Sequence, residues 1–287
     1  MPHLYPLIFV LLWSTGFIGA KFGLPFSEPL TFLSIRYALV IVLMGAVALA
    51  SRAPWPKDAR TAFHIGMTGL LVHGVYLGGV FTAIKHGLPA GITSLVVGMQ
   101  PLLTAVGAGW LLRERVSRWQ WLGLVLGFIG VALVVAGRAR LDTVTSDALV
   151  HMLWPALAAL LGITIGTLYQ KRYCPSFDLR TGSVVQFVPT LIATALLASA
   201  TETMDVAWSG QFVFALLWLV LVLSLGAISL LNLLIRSGSA THVASLFYLT
   251  PPVTALMAWA LFDERLSLPA MIGMGIAVTG VWLARRK

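Results

Sequence analysis

Hydrogen-bonding side chains are few inside the apolar stretches of this 287-residue chain, and they define what chemistry its interior can do. His73 lies near the centre of one apolar run, with Tyr76 one turn further on. Gln100 stands directly before Pro101 in a second run, and Thr250 directly before Pro251 in a third. Trp13, Ser14, Asn232 and Tyr248 add polar tips and flat rings. Such groups suit the ammonium, carboxylate and side chain of an amino acid. A proline inside a membrane span deletes one backbone hydrogen bond and kinks the helix, so the freed carbonyl must find a partner or line a wet cavity. Trp13, Ser14, His73, Tyr76, Gln100, Asn232, Tyr248 and Thr250 are therefore expected to bind a substrate, with Pro101 and Pro251 as the structural kinks that shape its pathway.

The same inventory lacks the parts of a membrane-embedded enzyme. All ten acidic residues fall at loops or at the ends of apolar runs, and the interior offers one central histidine with a few hydroxyls, too little for paired acids or an activated nucleophile. With one cysteine, Cys174, and no carboxylate at helical spacing from His73, neither a protein-built metal site nor a disulfide framework is expected. No phosphate-binding Gly-x-x-x-x-Gly-Lys-Ser loop is present, so ATP and other cofactors have no expected place. Solute movement driven by protons or sodium commonly relies on an acid in the membrane interior, and the apolar runs here have none, so any such movement is expected to be facilitated diffusion or exchange. His73 reads more readily as a neutral hydrogen-bonded residue than as a proton carrier, and any proton coupling would have to run through it. Arg36 is the strongly basic side chain well inside a run. It could attract a carboxylate or phosphate, or tie down backbone carbonyls, and the sequence favours the structural role.

Those residues are positioned by long apolar runs. Of the chain, 59% is hydrophobic and 10% charged, whereas soluble chains carry roughly a quarter charged residues. Runs at 5–20, 30–50, 62–84, 89–112, 119–136, 148–169, 181–200, 212–235, 240–262 and 269–284 can each be read as a helix spanning about 30 Å of hydrocarbon. The expected fold is an all-α integral membrane protein with ten transmembrane helices. The N-terminal Met1-Pro2-His3 lacks the charged start of a cleaved signal, so the first run is expected to remain as an anchor. A net charge of +9 would suggest nucleic acid in a soluble chain, but here the basic residues sit in short loops, so no nucleic-acid partner is expected. Thirteen of the nineteen lie on the side holding both termini and five on the other, which predicts cytoplasmic ends.

The runs also repeat. Pro101, Thr104, Glu114, Arg115, Ser117, Gly123 and Gly130 recur 150 positions later as Pro251, Thr254, Glu264, Arg265, Ser267, Gly273 and Gly280. Leu7, Gly16 and Lys21 likewise recur as Leu157, Gly166 and Lys171. Five runs used twice make two units, residues 1–140 and 146–287. An odd number of spans places the second copy upside down, the inverted-repeat plan of secondary transporters. The glycines of the fifth and tenth runs form small-residue faces expected to pack within the subunit, against the fourth and ninth runs, or to support a weak homodimer.

Trp13-Ser14 with Lys21, Pro29 and Arg36, then Pro101, Glu114-Arg115 and Gly123 to Gly130 with their second-half counterparts, resemble the EamA family of the drug/metabolite transporter superfamily. The resemblance covers nearly the whole chain and lies nearest the aromatic amino-acid exporter type. It implies an inner-membrane exporter of amino acids or similar small metabolites, working by alternating access through a cavity between the repeats. A proton-coupled multidrug or other metabolite transporter is the alternative. The second copy departs from the family pattern, with Ile163 where the first has Trp13 and Gln186 where it has Arg36.

Overall fold

In hydrocarbon every backbone amide needs a partner, and a helix is how one segment of chain supplies them all. The computed structural model describes residues 4–88, 93, 96–136, 146–237, 240–262 and 268–284, and these are helical apart from turns, connecting loops and one isolated β-bridge, Ser27 to Val206. The helices are α1 Tyr5–Gly23, α2 Pro29–Ala50, α3 Ala59–Lys85, α4 Gln100–Gly107 with a π-helical extension Ala108–Leu112, α5 Arg118–Ala136, α6 Ser146–Tyr173, α7 Leu179–Thr201 and α8 Gly210–Ser237. Then α9 runs as Ala240–Ser245, a 3-10 turn Leu246–Leu249 and Thr250–Phe262, and α10 is Leu268–Ala284. By length and composition five of these stretches can cross a membrane: α2, α3, His151–Tyr173 within α6, α7 and α8. Shorter apolar stretches lie at Tyr5–Gly16, Arg118–Leu133 and α10. The Glu264-Arg265 turn of the sequence repeat lies outside the described residues.

Helix starts follow local chemistry. Asp58, Asp178 and Ser209 each accept a hydrogen bond from a first-turn amide, of Thr61, Arg180 and Phe212 respectively, satisfying donors that a helix leaves open at its N-terminus. Pro29 opens α2, where its missing amide costs nothing. Within the spans the prolines act in two ways. Pro101 does not kink a continuous helix, because residues 98 and 99 form a turn and α4 begins afresh at Gln100. Pro251 follows the 3-10 turn of α9. The two interruptions are separated by the 150-residue repeat offset. Pro155 in α6 and Pro189 in α7 are further internal prolines, which the sequence reading passed over.

Two more irregularities share that offset. Residues Leu70–Val75 of α3 and Leu219–Ala227 of α8 are π-helical. A π turn carries one residue more than an α turn and so rotates the side chains beyond it, and such turns concentrate at functional sites.

α2 and α7 form a pair clasped at both ends. Glu202, closing α7, accepts from the Leu30 and Thr31 amides (2.8 and 2.7 Å) and the Thr31 hydroxyl. In return Glu28 accepts from the Thr203 amide at 2.7 Å and from its hydroxyl. At the other end the Thr181 hydroxyl donates to the Pro54 carbonyl at 2.8 Å. Thr203 bonding holds the Glu28 carboxylate below the usual glutamate value of 4.5. A depressed carboxylate stabilises the fold above its unfolded pKa, and that contribution disappears as pH falls through the folded value. The thermal midpoint of purified protein should therefore drop between about pH 5 and about pH 3, and Glu28→Gln should start lower and lose less over that window. Parallel pH profiles for the two proteins would show that the clasp does not contribute.

α5 and α10 meet along their glycines. A methyl at Gly123 or Gly130 would overlap backbone of α10, at Gly280 and Ala284 or at Gly273 and Ala277, and one at Gly280 would overlap Gly123 and Gly127. The sequence expectation that these faces pack against the fourth and ninth runs is corrected here. The two stripes have matching spacing, so their backbones approach each other more closely than either could approach a helix with larger side chains. Gly127 also faces α9, against the Tyr248 ring.

Candidate functional site

A cavity of about 40 Å3 lies where α1, α2, α3 and α8 meet. That is room for a few waters, at roughly 10–15 Å3 each. Its depth follows from its walls: His73 stands near the middle of α3, and Leu219 and Leu223 near the middle of α8. Both helices contribute their π turns to it. Most of the lining is apolar, including Val72, Val80, Phe81 and Ile228, and the remainder comes from Trp13, Tyr76, His73 and Arg36.

The aromatic wall is built across three helices. Trp13 of α1 stacks on Tyr76 of α3, ring centres 6.4 Å apart at 12°, and meets Phe247 of α9 edge-on at 5.2 Å. Phe9 packs beside it at 5.1 Å. His73 lies flat on Phe187 of α7, 4.2 Å between centres. Its carbonyl accepts from the Tyr37 hydroxyl at 2.7 Å. Gln186 approaches the imidazole, but neither ring nitrogen makes a hydrogen bond of full geometry.

Arg36 is 3% exposed, and its Nε donates to Ser224 Oγ at 3.0 Å, in the π turn of α8. Gln186, 150 residues beyond Arg36 in the sequence, lies beside His73 in the π turn of α3 without a hydrogen bond of full geometry to it. Among the described residues the ion pair is Arg180 with Asp178 at 2.7 Å, at the start of α7, and no carboxylate reaches Arg36.

Of the residues expected to bind substrate, Trp13, His73 and Tyr76 line this cavity. Ser14 is turned away: its hydroxyl donates to the Val10 carbonyl at 2.7 Å and to that of Thr250 at 3.4 Å, tying α1 to α9. Gln100, Tyr248 and Thr250 are buried outside it, with side-chain polar atoms that lack partners. Asn232 accepts from Gln170 at 2.9 Å and leaves its own amide nitrogen unpartnered. Pro101 and Pro251 mark the breaks beside Gln100 and Thr250. Sequence reasoning gave Arg36 a structural role and did not single out Ser224. The available signal was the solitary cation in a span whose repeat counterpart, Gln186, is neutral. No group of three or more His, Cys, Asp or Glu able to hold a metal occurs among the described residues.

Comparison with known proteins decides the family. The family described as "EamA-like transporter family" matches residues 1–136 and again 151–286. The chain belongs to the EamA-like transporter family. The doubled match reproduces the 150-residue offset. Curated relatives include the Bacillus subtilis (strain 168) protein called "Uncharacterized transporter YvbV", 29% identical over 97% of this chain and 89% of the relative. Another, from Escherichia coli (strain K12), carries the name "Probable amino-acid metabolite efflux pump" and is 25% identical over 96% of this chain and 92% of its own length. A solved crystal structure aligns with a TM-score of 0.81 at 19% identity, covering 99% of this chain and 96% of that one, which establishes a shared fold. Family members are transporters, so this EamA protein is a membrane transporter with a small-molecule substrate, not an enzyme.

Proposed function

We propose that this EamA protein is a secondary exporter of amino acids or similar small metabolites in the cell inner membrane. It works by alternating access between two inverted five-helix repeats, residues 1–140 and 146–287, with ten spans and both termini cytoplasmic. The observation that carries the reading is the mid-helix cavity between α3 and α8, where π turns at repeat-related positions converge on the Trp13–Tyr76 stack. Two-fold related irregularities around one site are what a protein needs to open that site alternately to either side. The efflux-pump name of a relative at 25% identity supports amino acids as the cargo class.

With the acidic residues at loops and run ends, the transport is exchange or passive equilibration, and the protein acts as a monomer or weak homodimer. The test is counterflow of labelled amino acids into liposomes holding the unlabelled pool, with and without an imposed pH gradient. Counterflow that the gradient leaves unchanged is the expected outcome. Gradient-driven accumulation above equilibrium would overturn passive transport and favour the proton-coupled alternative, whose proton carrier His73→Gln would remove. Absence of any counterflow would refute the exporter reading. In the same preparation a cysteine at Asp205 should react from outside, since residue 205 is exposed and the native Cys174 is buried; reaction from the cytoplasmic side alone would sink the inverted scheme.

A further inference from the structure

We infer that Arg36, with one edge of its guanidinium fixed by Ser224, is the anchor for a carboxylate on the transported molecule. The substrates are then small monocarboxylates with an apolar body, amino acids included, while their amides and the corresponding simple amines are rejected. The inference rests on the transport reading above and narrows it to a chemical class.

A guanidinium has five N–H donors in a rigid fork. Here the Nε hydrogen goes to Ser224 and the residue faces the cavity, so the two terminal nitrogens remain for a bidentate acceptor. A buried cation without an anion is costly, and tolerated in a membrane interior chiefly where function needs it. No described carboxylate supplies that anion. Bidentate pairing with a planar carboxylate fits this fork better than any other small anion, and Arg36 is the single Lys or Arg in the lining. A phosphate dianion would call for a second cation. Around the fork, the stacked Trp13 and Tyr76 and the aliphatic Leu219, Leu223 and Ile228 offer an apolar body its contacts, and the ring faces can receive an ammonium.

The repeat makes the assignment sharper. Residues 36 and 186 are 150 apart and each stands against a π turn of the other repeat, Arg36 at Ser224 and Gln186 beside His73. At that position the second repeat carries a neutral glutamine, whose side-chain oxygen has no partner. Arginine in the first repeat adds a charge that the equivalent position of the second does without.

The experiment is competition against labelled L-phenylalanine counterflow by unlabelled L-phenylalanine, L-phenylalaninamide and phenethylamine, in the wild type, Ser224→Ala, Arg36→Lys and Arg36→Gln, with thermal midpoints recorded for each. In the wild type the amide and the amine should compete about 10- to 100-fold more weakly than the acid, the span of one charge-assisted pair. Ser224→Ala should narrow that gap by about fivefold, through looser placement of the fork. Arg36→Lys should retain part of it, and Arg36→Gln should abolish it while the amide still competes. Equal competition by acid and amide in the wild type overturns the inference, as does a gap unchanged in Ser224→Ala and Arg36→Gln. If Arg36→Gln does not fold, the wild type and Ser224→Ala decide. Wild-type counterflow with equal use of acid and amide defeats the anchor alone; no L-phenylalanine counterflow defeats the anchor, and no counterflow across the wider amino-acid panel defeats the exporter reading with it.

Discussion

Gly130→Val should lower the unfolding free energy by about 3 kcal/mol or more, at the top of the range for inserting methylenes into a packed interior. The added carbons would meet the Gly273 carbonyl and the Ala277 backbone of α10. Backbone cannot swing aside as the end of a side chain can, so relief requires the two helices to separate. Separation would in turn remove the contacts of Gly123 and Gly127 with Gly280 further along. The control lies on the same helix pair: Gly275 is exposed, with open space beyond it, so Gly275→Val should change stability by no more than about 0.5 kcal/mol. Thermal unfolding of the two variants in one detergent makes the comparison. Equal midpoints would show that α5 and α10 are not held at glycine distance.

Trp13→Ala should be the most damaging single change to transport among the aromatic residues. The ring is 6% exposed and contacts Phe9, Tyr76 and Phe247 on three helices, and truncating a buried tryptophan costs about 3–5 kcal/mol. Part of that loss falls on stability, so Trp13→Phe is the more informative variant. It keeps an apolar ring between Phe9 and Phe247 while shortening the shelf over the cavity, and it should weaken apparent substrate affinity about tenfold with a midpoint within a few degrees of wild type. Trp110, at 87% exposed, is a bystander facing outward, and Trp110→Ala should alter neither quantity. A Trp110 effect as large as that of Trp13 would mean that the ring wall does not meet substrate.

Much of the helical layout was legible because apolar length is a one-dimensional property. The repeat offset even located the paired breaks at 98–99 and 246–249, through Pro101 and Pro251. What stayed hidden were properties of rotation and partnership. A π turn differs from an α turn by one hydrogen-bond register and has no composition of its own, so nothing in Leu70–Val75 or Leu219–Ala227 announces it. Because those turns set which way α3 and α8 face, the meeting of Arg36 with Ser224 could not be read from spacing. The glycine stripes were visible as close-contact faces, but spacing does not say which helix answers them. Ser14 illustrates the converse: a hydroxyl in a span invites a ligand, yet carbonyls one turn back and across on α9 were nearer.

The contact between Arg36 and Ser224 joins residues 188 positions apart, and that separation has a meaning during synthesis. At roughly 5–20 residues per second, about 10–40 s pass between the emergence of α2 and that of its partner in α8. Throughout that interval a guanidinium must sit in or near the bilayer without the serine that will orient it, at an insertion penalty of about 2.5–3.5 kcal/mol for a central arginine. The Glu202 acceptor of the Leu30 and Thr31 amides also arrives late, 171 residues after Thr31. The nascent first half is thus expected to be a provisional arrangement, its second helix lacking two of its polar partners until the second half is made. Its final depth is set by the half that follows, so the order of translation is also the order in which the polar interior is completed.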